Sequence, residues 1–183
     1  DKAAKLNSTA IAQLKASQNT EKLASALSLQ GFITTKLSEF SASENYFKQA
    51  DALYSAGNNE GGKSSILLGR GILEFEKGNP KVALNYLNAG VAKYREFVMS
   101  FQEASGLLYK AKALLQLEDD AKKTYLLQSK TALKNALLII EAKNYKKLKI
   151  DSYKIKANIA QKEGERIKAK TMLEEYTSKI DAL

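Results

Sequence analysis

The sequence contains no cysteine, no histidine and no tryptophan among its 183 residues. The lack of cysteine alone identifies no compartment, since cytosolic and periplasmic proteins can both lack it. Thiolate nucleophiles, imidazole bases and the usual zinc ligands are absent together, which removes much of the chemistry that enzymes use. Glu74 and Glu76 stand two apart, so on a helix they would not face each other as an acid–base pair. We therefore expect a protein that is not an enzyme and that uses no cofactor and no metal.

Proline and glycine are scarce as well, with one proline and ten glycines in the chain. Low content of both residues favours long helices over strands, and a 44% apolar composition is enough for one domain over residues 1–183 to bury a continuous core. The most apolar window, residues 136–140, is far shorter than the run of about eighteen apolar residues that a membrane span needs. We expect an all-α domain without a transmembrane span.

Residues 64–94 show the organisation of the chain most clearly. Apolar residues recur three, four or five apart before Gly78, and again at helical spacing after Pro80, which predicts two helices. Between them Gly78 can end the first helix in the left-handed conformation, Asn79 can cap the second, and Pro80 suits the first helical position. The segment therefore predicts an antiparallel helical hairpin.

This hairpin recurs along the chain at a spacing of about forty residues, as an internal repeat does. Each first helix has a small residue at the same place: Gly31, Gly71, Ala111 and Ala157. Each second helix has another, namely Ser43, Ala83, Ser129 and Ala169. Four residues later come Phe47, Leu87, Leu133 and Leu173, followed three residues on by Ala50, Gly90, Ala136 and Tyr176. The register small, large, small predicts closely packed helix pairs.

The pattern of Gly71, Gly78, Ala83, Leu87 and Gly90 resembles that of the tetratricopeptide repeat (TPR) family, although its unit has about 34 residues and this one about forty. The resemblance implies an α-solenoid of about four helical hairpins, in residues 21–56, 60–98, 101–143 and 144–183. Residues 1–18 are expected to form an N-terminal capping helix or half of a truncated repeat.

Two local patterns predict helix starts. Ser41 and Glu44 have the spacing of a capping box, in which the two side chains satisfy backbone amides reciprocally. Asp119 and Asp120 are adjacent acids that suit the start of a helix, where they complement its dipole.

The first helices of that family line a concave groove, and the resemblance implies which residues face it. They are Ser28, Phe32, Thr35 and Lys36; Leu68, Ile72, Phe75 and Glu76; Leu108, Lys112, Leu115 and Gln116; and Lys154, Asn158, Gln161 and Lys162. Lys154 and Asn158 resemble the first half of the family's carboxylate clamp. The residues expected to bind a partner are Phe32, Lys36, Leu68, Phe75, Lys112, Lys154, Asn158 and Lys162. Core packing remains an alternative for Ile72 and Phe75, and a solvated face for the lysines.

The positive charge is concentrated near the C-terminus. Residues 143–170 hold ten Lys or Arg against three Asp or Glu, within a net charge of +9. Such a cluster attracts acidic partners, but the sequence has no helix-turn-helix signature and no arginine-rich tract, which disfavours nucleic acid. We expect a protein or peptide partner, acidic in part, that meets Lys112, Lys154 and Lys162. Tyr176, in a place where a small residue is expected, leaves docking on a second copy open.

These features together predict a non-enzymatic protein–protein interaction scaffold that binds a peptide or partner protein in its groove. The alternative is a structural assembly factor of a bacterial envelope complex, of pilus or secretion type, that acts through self-association or stoichiometric incorporation. The chain begins at Asp1 instead of Met, which is expected of an exported bacterial protein, either periplasmic or anchored as a lipoprotein. A cytoplasmic location also stays open.

Overall fold

The protein is all-α in the residues that its structure, a computed structural model, describes, which are 2–117 and 123–180. The helices are α1 (Lys2–Ala16), α2 (Thr20–Lys36), α3 (Phe40–Ala56), α4 (Glu60–Glu76), α5 (Pro80–Glu96), α6 (Ser100–Gln116), α7 (Thr124–Lys143), α8 (Lys146–Lys162) and α9 (Arg166–Ile180). These ranges contain no strand, and the expected all-α class is confirmed.

The chain divides into two compact units, residues 1–97 (unit 1) and residues 98–183 (unit 2). In unit 1, α2 pairs with α3 and α4 with α5, while α1 packs on α2. In unit 2, α6 pairs with α7 and α8 with α9. Within each unit the first helices of the two hairpins also touch, and each hairpin's second helix packs on the next first helix. Each unit is thus a stack of hairpins of the α-solenoid kind; the single domain and the tetratricopeptide character of the repeats stay predictions.

The turns that separate helices α1 to α6 are short and similar in backbone conformation. Helices α2 to α6 are each 17 residues long and are separated by three residues. The middle residue of each turn has a positive φ, which is 83° at Gly78, as the sequence predicts. The amides of Gly78 and Asn79 donate to the carbonyls of Phe75 (3.0 Å) and Glu74 (2.8 Å), the two bonds of a Schellman motif. The same pair of bonds closes α2, α3 and α8.

The predicted capping box of Ser41 and Glu44 is wrong, and the predicted cap at Asn79 is confirmed only in its position, while Pro80 begins α5 as predicted. Helix α3 begins at Phe40, so Ser41 lies inside its first turn and caps nothing; Glu44 instead forms an ion pair with Lys77. Asn79 does stand at the N-cap of α5, but its Nδ2 donates to Glu74 Oε2 (2.8 Å) and its side chain accepts no amide. Asp119 and Asp120 lie outside the described residues.

The predicted register of small and large residues is confirmed in three hairpins. A Cβ on Gly71 would lie 2.8 Å from Leu87 Cγ, and a Cβ on Gly31 would lie 2.6 Å from Phe47 Cε1. The buried Phe47 ring also meets Gly69 of α4, so one aromatic side chain joins α2, α3 and α4. In α9 the register fails, since Leu173 is 44% exposed.

Serine at the small position of a second helix adds a hydrogen bond between helices. Ser43 Oγ donates to Gly31 O (2.9 Å) in unit 1, and Ser129 Oγ donates to Ala111 O (3.0 Å) in unit 2. Both serines are fully buried. A serine at the small position therefore makes a buried hydrogen bond to the neighbouring helix and still allows the two helices to pack closely.

Candidate binding face

Several predicted groove residues belong to the core. Leu68 and Ile72 of α4 are 5% and 4% exposed, and Ser28 and Thr35 of α2 are buried too. The Ser28 hydroxyl lies 3.3 Å from that of Ser65, which directs it toward α4. Leu68, expected to bind a partner, instead packs inside unit 1, as Leu108 and Leu115 pack inside unit 2. For Ile72 the open alternative of core packing is the one observed.

The other predicted residues of unit 1 are engaged with their neighbours. The half-buried Phe32 ring stands edge-on to Phe47, with ring centroids 5.3 Å apart. Phe75 is half-buried. Lys36 Nζ lies 2.6 Å from Glu76 Oε1, an exposed ion pair that links α2 to α4. These contacts leave Phe32 and Phe75 partly accessible, and Lys36 neutralised by a carboxylate of the protein itself.

Unit 2 exposes a different surface. Lys154, Asn158 and Lys162 follow one another at four-residue intervals on α8, which places them on one side of the helix. All three are exposed, as is Gln161, and we call these four residues the α8 face. Neither Lys154 nor Lys162 forms an ion pair within the described residues. The α8 face therefore presents two ammonium groups and two amides to solvent.

Unit 2 has two further charged residues at predicted or neighbouring positions, one on α6 and one on α8. Lys112 of α6, the first helix next to α8, is half-buried, with its Nζ 4.6 Å from the centre of the Tyr109 ring. Asp151 lies three residues before Lys154, so one half-buried carboxylate stands at the end of the face that is nearer the helix start. Ammonium and amide groups in this arrangement can donate hydrogen bonds to carboxylates, but they include no nucleophile paired with a base.

One surface of unit 2 was not predicted at all. An apolar cleft lies between α7 and α9, floored by α8. The available signal was the apolar run at residues 136–140, which is longer than a single buried helix face requires. The run by itself does not predict a cleft, because the depth of the cleft depends on where α9 packs.

Among the described residues, no cluster of three or more acidic side chains is placed to hold a metal ion. None of the helices described has the length and apolar character needed to cross a membrane. Comparison with protein-family models gave no match, and comparison with curated proteins gave no significant one. The resemblance to tetratricopeptide repeats therefore stays a prediction that rests on the residues quoted above.

Proposed function

We propose that the protein is a non-enzymatic interaction scaffold and that its α8 face binds an acidic segment of a partner protein. The observation that carries the proposal is the pair of exposed lysines, Lys154 and Lys162, which lack a carboxylate partner within the described residues and flank Asn158. On α2, the lysine at the position equivalent to Lys162 is Lys36, and it is already occupied by Glu76. A partner carboxylate at the α8 face gains attraction without having to break an internal ion pair.

The test measures binding of a fluorescein-labelled glutamate-rich peptide that carries one phenylalanine, by fluorescence anisotropy. We expect Lys154→Glu combined with Lys162→Glu to weaken binding roughly tenfold, which is about 1.4 kcal/mol, because two attractions become repulsions. Raising the salt concentration should weaken wild-type binding and affect the variant less.

The matched control is Lys48→Glu combined with Lys81→Glu. Both lysines are exposed, lie in unit 1, and form no ion pair within the described residues, so the net charge changes equally. The control should keep wild-type affinity. Equal loss in both double variants would mean that only net charge matters, and unchanged binding in the α8 variant would refute the proposal.

Self-association, the basis of the alternative assembly function, is favoured by a separate observation on α9. Leu173 and Ile180 are 44% and 42% exposed, and with the half-buried Tyr176 they share one side of that helix. Sedimentation of the wild type and of Leu173→Glu tests this function. A dimer that Leu173→Glu dissociates would favour assembly, and a monomer at all concentrations would count against it.

A further inference from the structure

The cleft of unit 2 has a volume of about 460 Å³, within the range of small-molecule sites. Its apolar lining comes from three helices, with Leu133, Leu137 and Leu138 on α7, Ile159 and Ala160 on α8, and Met172 on α9. Leu138 is 63% exposed, whereas Leu133 and Ile159 are each 6% exposed. The cleft thus has a closed apolar floor and an open rim.

Ion pairs that join α7 to α8 and its C-cap residue mark both ends of the cleft. Lys130 lies 2.7 Å from Glu163 at one end, and Glu141 lies 3.0 Å from Lys149 at the other. The stretch of α7 between Lys130 and Glu141 is roughly 16 Å long at the rise of an α-helix. A long partner helix would have to cross these ion pairs, whereas a short apolar chain fits between them.

Comparison with unit 1 shows which residue differences make the cleft apolar. In the register that equates Ser43 with Ser129 and Gly71 with Ala157, four pairs of positions correspond: Asp51 to Leu137, Arg70 to Lys156, Glu74 to Ala160 and Tyr86 to Met172. In unit 1 this region holds an Arg70–Asp51 ion pair (3.0 Å) and a Glu74–Lys77 ion pair (3.0 Å). Unit 2 has apolar side chains in place of both carboxylates. Lys156, which corresponds to Arg70, therefore has no carboxylate at the position where Arg70 has Asp51.

The charge at the rim of the cleft is positive. Lys134 and Lys156 both line it, and neither forms an ion pair within the described residues. The ammonium group of Lys156 lies 4.9 Å from the centre of the Tyr153 ring. The two carboxylates of the lining, Glu141 and Glu163, are already paired with lysines. An anionic group at the rim would therefore meet two cations with no competing carboxylate.

We propose that this cleft binds a small amphiphilic carboxylate. Its unbranched apolar chain lies on Leu137, Ile159 and Met172, and its carboxylate meets Lys134 and Lys156. Burial of the chain supplies the affinity, and the two lysines fix its orientation. The site is separate from the α8 face, because Lys154 and Lys156, two apart, lie on different sides of α8.

Methionine provides the probe for a test by nuclear magnetic resonance. The chain has two methionines, of which Met172 lines the cleft and Met99 stands at the N-cap of α6. With methyl-¹³C-methionine in the whole protein, dodecanoate is titrated below its micelle-forming concentration. We expect a saturable shift of the Met172 resonance and none at Met99. Dodecanol, which has the same chain without the charge, should bind about tenfold more weakly.

Two variants test the floor and the rim separately. Leu137→Asp places in unit 2 the residue that unit 1 has there, so it should abolish the Met172 shift; Leu127→Asp, on an exposed part of α7 outside the cleft, should not. Lys134→Glu with Lys156→Glu should weaken dodecanoate binding about tenfold and leave dodecanol binding unchanged. Circular dichroism checks that each variant is folded. If Leu137→Asp does not fold, the variant with both lysines replaced provides the test of the proposal.

Several results would overturn the proposal. Shifts of both methionines together would indicate detergent-like adsorption, and no saturable shift at Met172 would mean that the cleft binds no such ligand. Equal affinity for dodecanoate and dodecanol would remove the role of the lysines. A response of Met172 to an acidic amphipathic peptide, with none to dodecanoate, would assign the cleft to a protein partner.

Discussion

Gly71 shows how a single residue determines the distance between two helices. It is buried where α4 meets α5, and a Cβ there would approach both Leu87 Cγ (2.8 Å) and the Leu87 backbone nitrogen (3.2 Å). The side chain of Leu87 can shift, but the backbone nitrogen can move only with α5 itself. The recurrence of small residues in the sequence was enough to predict this contact.

Overpacking of this contact should destabilise unit 1. We expect Gly71→Leu or Ala83→Leu to lower the free energy of unfolding by roughly 1–3 kcal/mol, measured by urea denaturation. Gly61→Ala is the control, because its Cβ would meet only Asn59 Oδ1 at 3.6 Å. That change should raise stability by roughly 0.4–1 kcal/mol, since alanine loses less backbone entropy than glycine when the chain folds. Unchanged stability in both leucine variants would refute the packing assignment.

Tyr94 carries a buried polar group, its phenolic hydroxyl. The residue is 1% exposed, and its hydroxyl has no hydrogen-bond partner of acceptable geometry within the described residues. Burial raises the pKa of its phenol to about 12, against a smaller lowering from the nearby Ser65 hydroxyl. The hydroxyl therefore costs stability at neutral pH, and the apolar ring is what the core uses.

Replacement of Tyr94 by phenylalanine tests both the cost of the buried hydroxyl and its raised pKa. At neutral pH, Tyr94→Phe should leave the free energy of unfolding unchanged or raise it by about 1 kcal/mol. Between pH 10 and 12 the unfolded chain releases the phenolic proton while the folded one keeps it, so the wild type loses stability as pH rises. This loss, on the order of 3 kcal/mol, should be missing in Tyr94→Phe. Parallel pH profiles for the two proteins would contradict the assignment.

The helices share a turn whose geometry does not require glycine but suits it best. The middle residue has a positive φ at Gln18, Ser38, Asn58, Gly78 and Val98. Val98 has a φ of 57° and is 84% exposed, so a β-branched side chain occupies a left-handed backbone without any packing in return. The turn after α5 is therefore strained where the turn after α4 is not.

A pair of reciprocal substitutions measures this strain. Val98→Gly should raise the free energy of unfolding by about 1 kcal/mol, and Gly78→Val should lower it by roughly 1–2 kcal/mol. Thermal and urea unfolding both provide the readout. A loss of stability in Val98→Gly would show that the valine side chain contributes more than its backbone costs.

Helix ends were harder to predict than helices. Asn19 and Asn59 cap α2 and α4, accepting from the amides of Lys22 (3.1 Å) and Gly62 (2.7 Å), but Asn79 in the same place is drawn to Glu74. The Asn79 side chain can bond either to a backbone amide of α5 or to the Glu74 carboxylate, and the conformation of the turn decides which bond forms. The prediction for Ser41 is wrong for a simpler reason, since Glu39 is the N-cap and α3 starts at Phe40, two residues before a helix capped by Ser41 would start.

For the whole molecule, the dominant feature is unbalanced charge. The net charge is +9, and residues 143–170 alone hold ten basic and three acidic residues. Lysines crowded in this way repel each other when salt is low, and the Debye length falls from about 30 Å to about 8 Å between 0.01 M and 0.15 M salt. Repulsion in the folded protein should therefore weaken over this range.

We expect the melting temperature of the protein to rise as the sodium chloride concentration increases from about 0.01 M to about 0.15 M. The variant Lys154→Glu with Lys162→Glu carries less positive charge in this region and should show a smaller rise. A melting temperature that falls with salt in the wild type would mean that the ion pairs, such as Lys130–Glu163, outweigh the repulsion.

The sequence by itself determined the all-α class and the pairing of helices into hairpins, because both follow from residue volume and spacing along one chain. Glycine at 31 and 71 must face a large residue wherever the helices meet. The tertiary structure decided which apolar residues are exposed, as Leu138 is and Ile72 is not. It also decided that Lys36 meets Glu76, forty residues away, while Lys154 stays unpaired within the described residues. Contacts between residues far apart in the sequence depend on how separate helices pack, and no local pattern of residues encodes them.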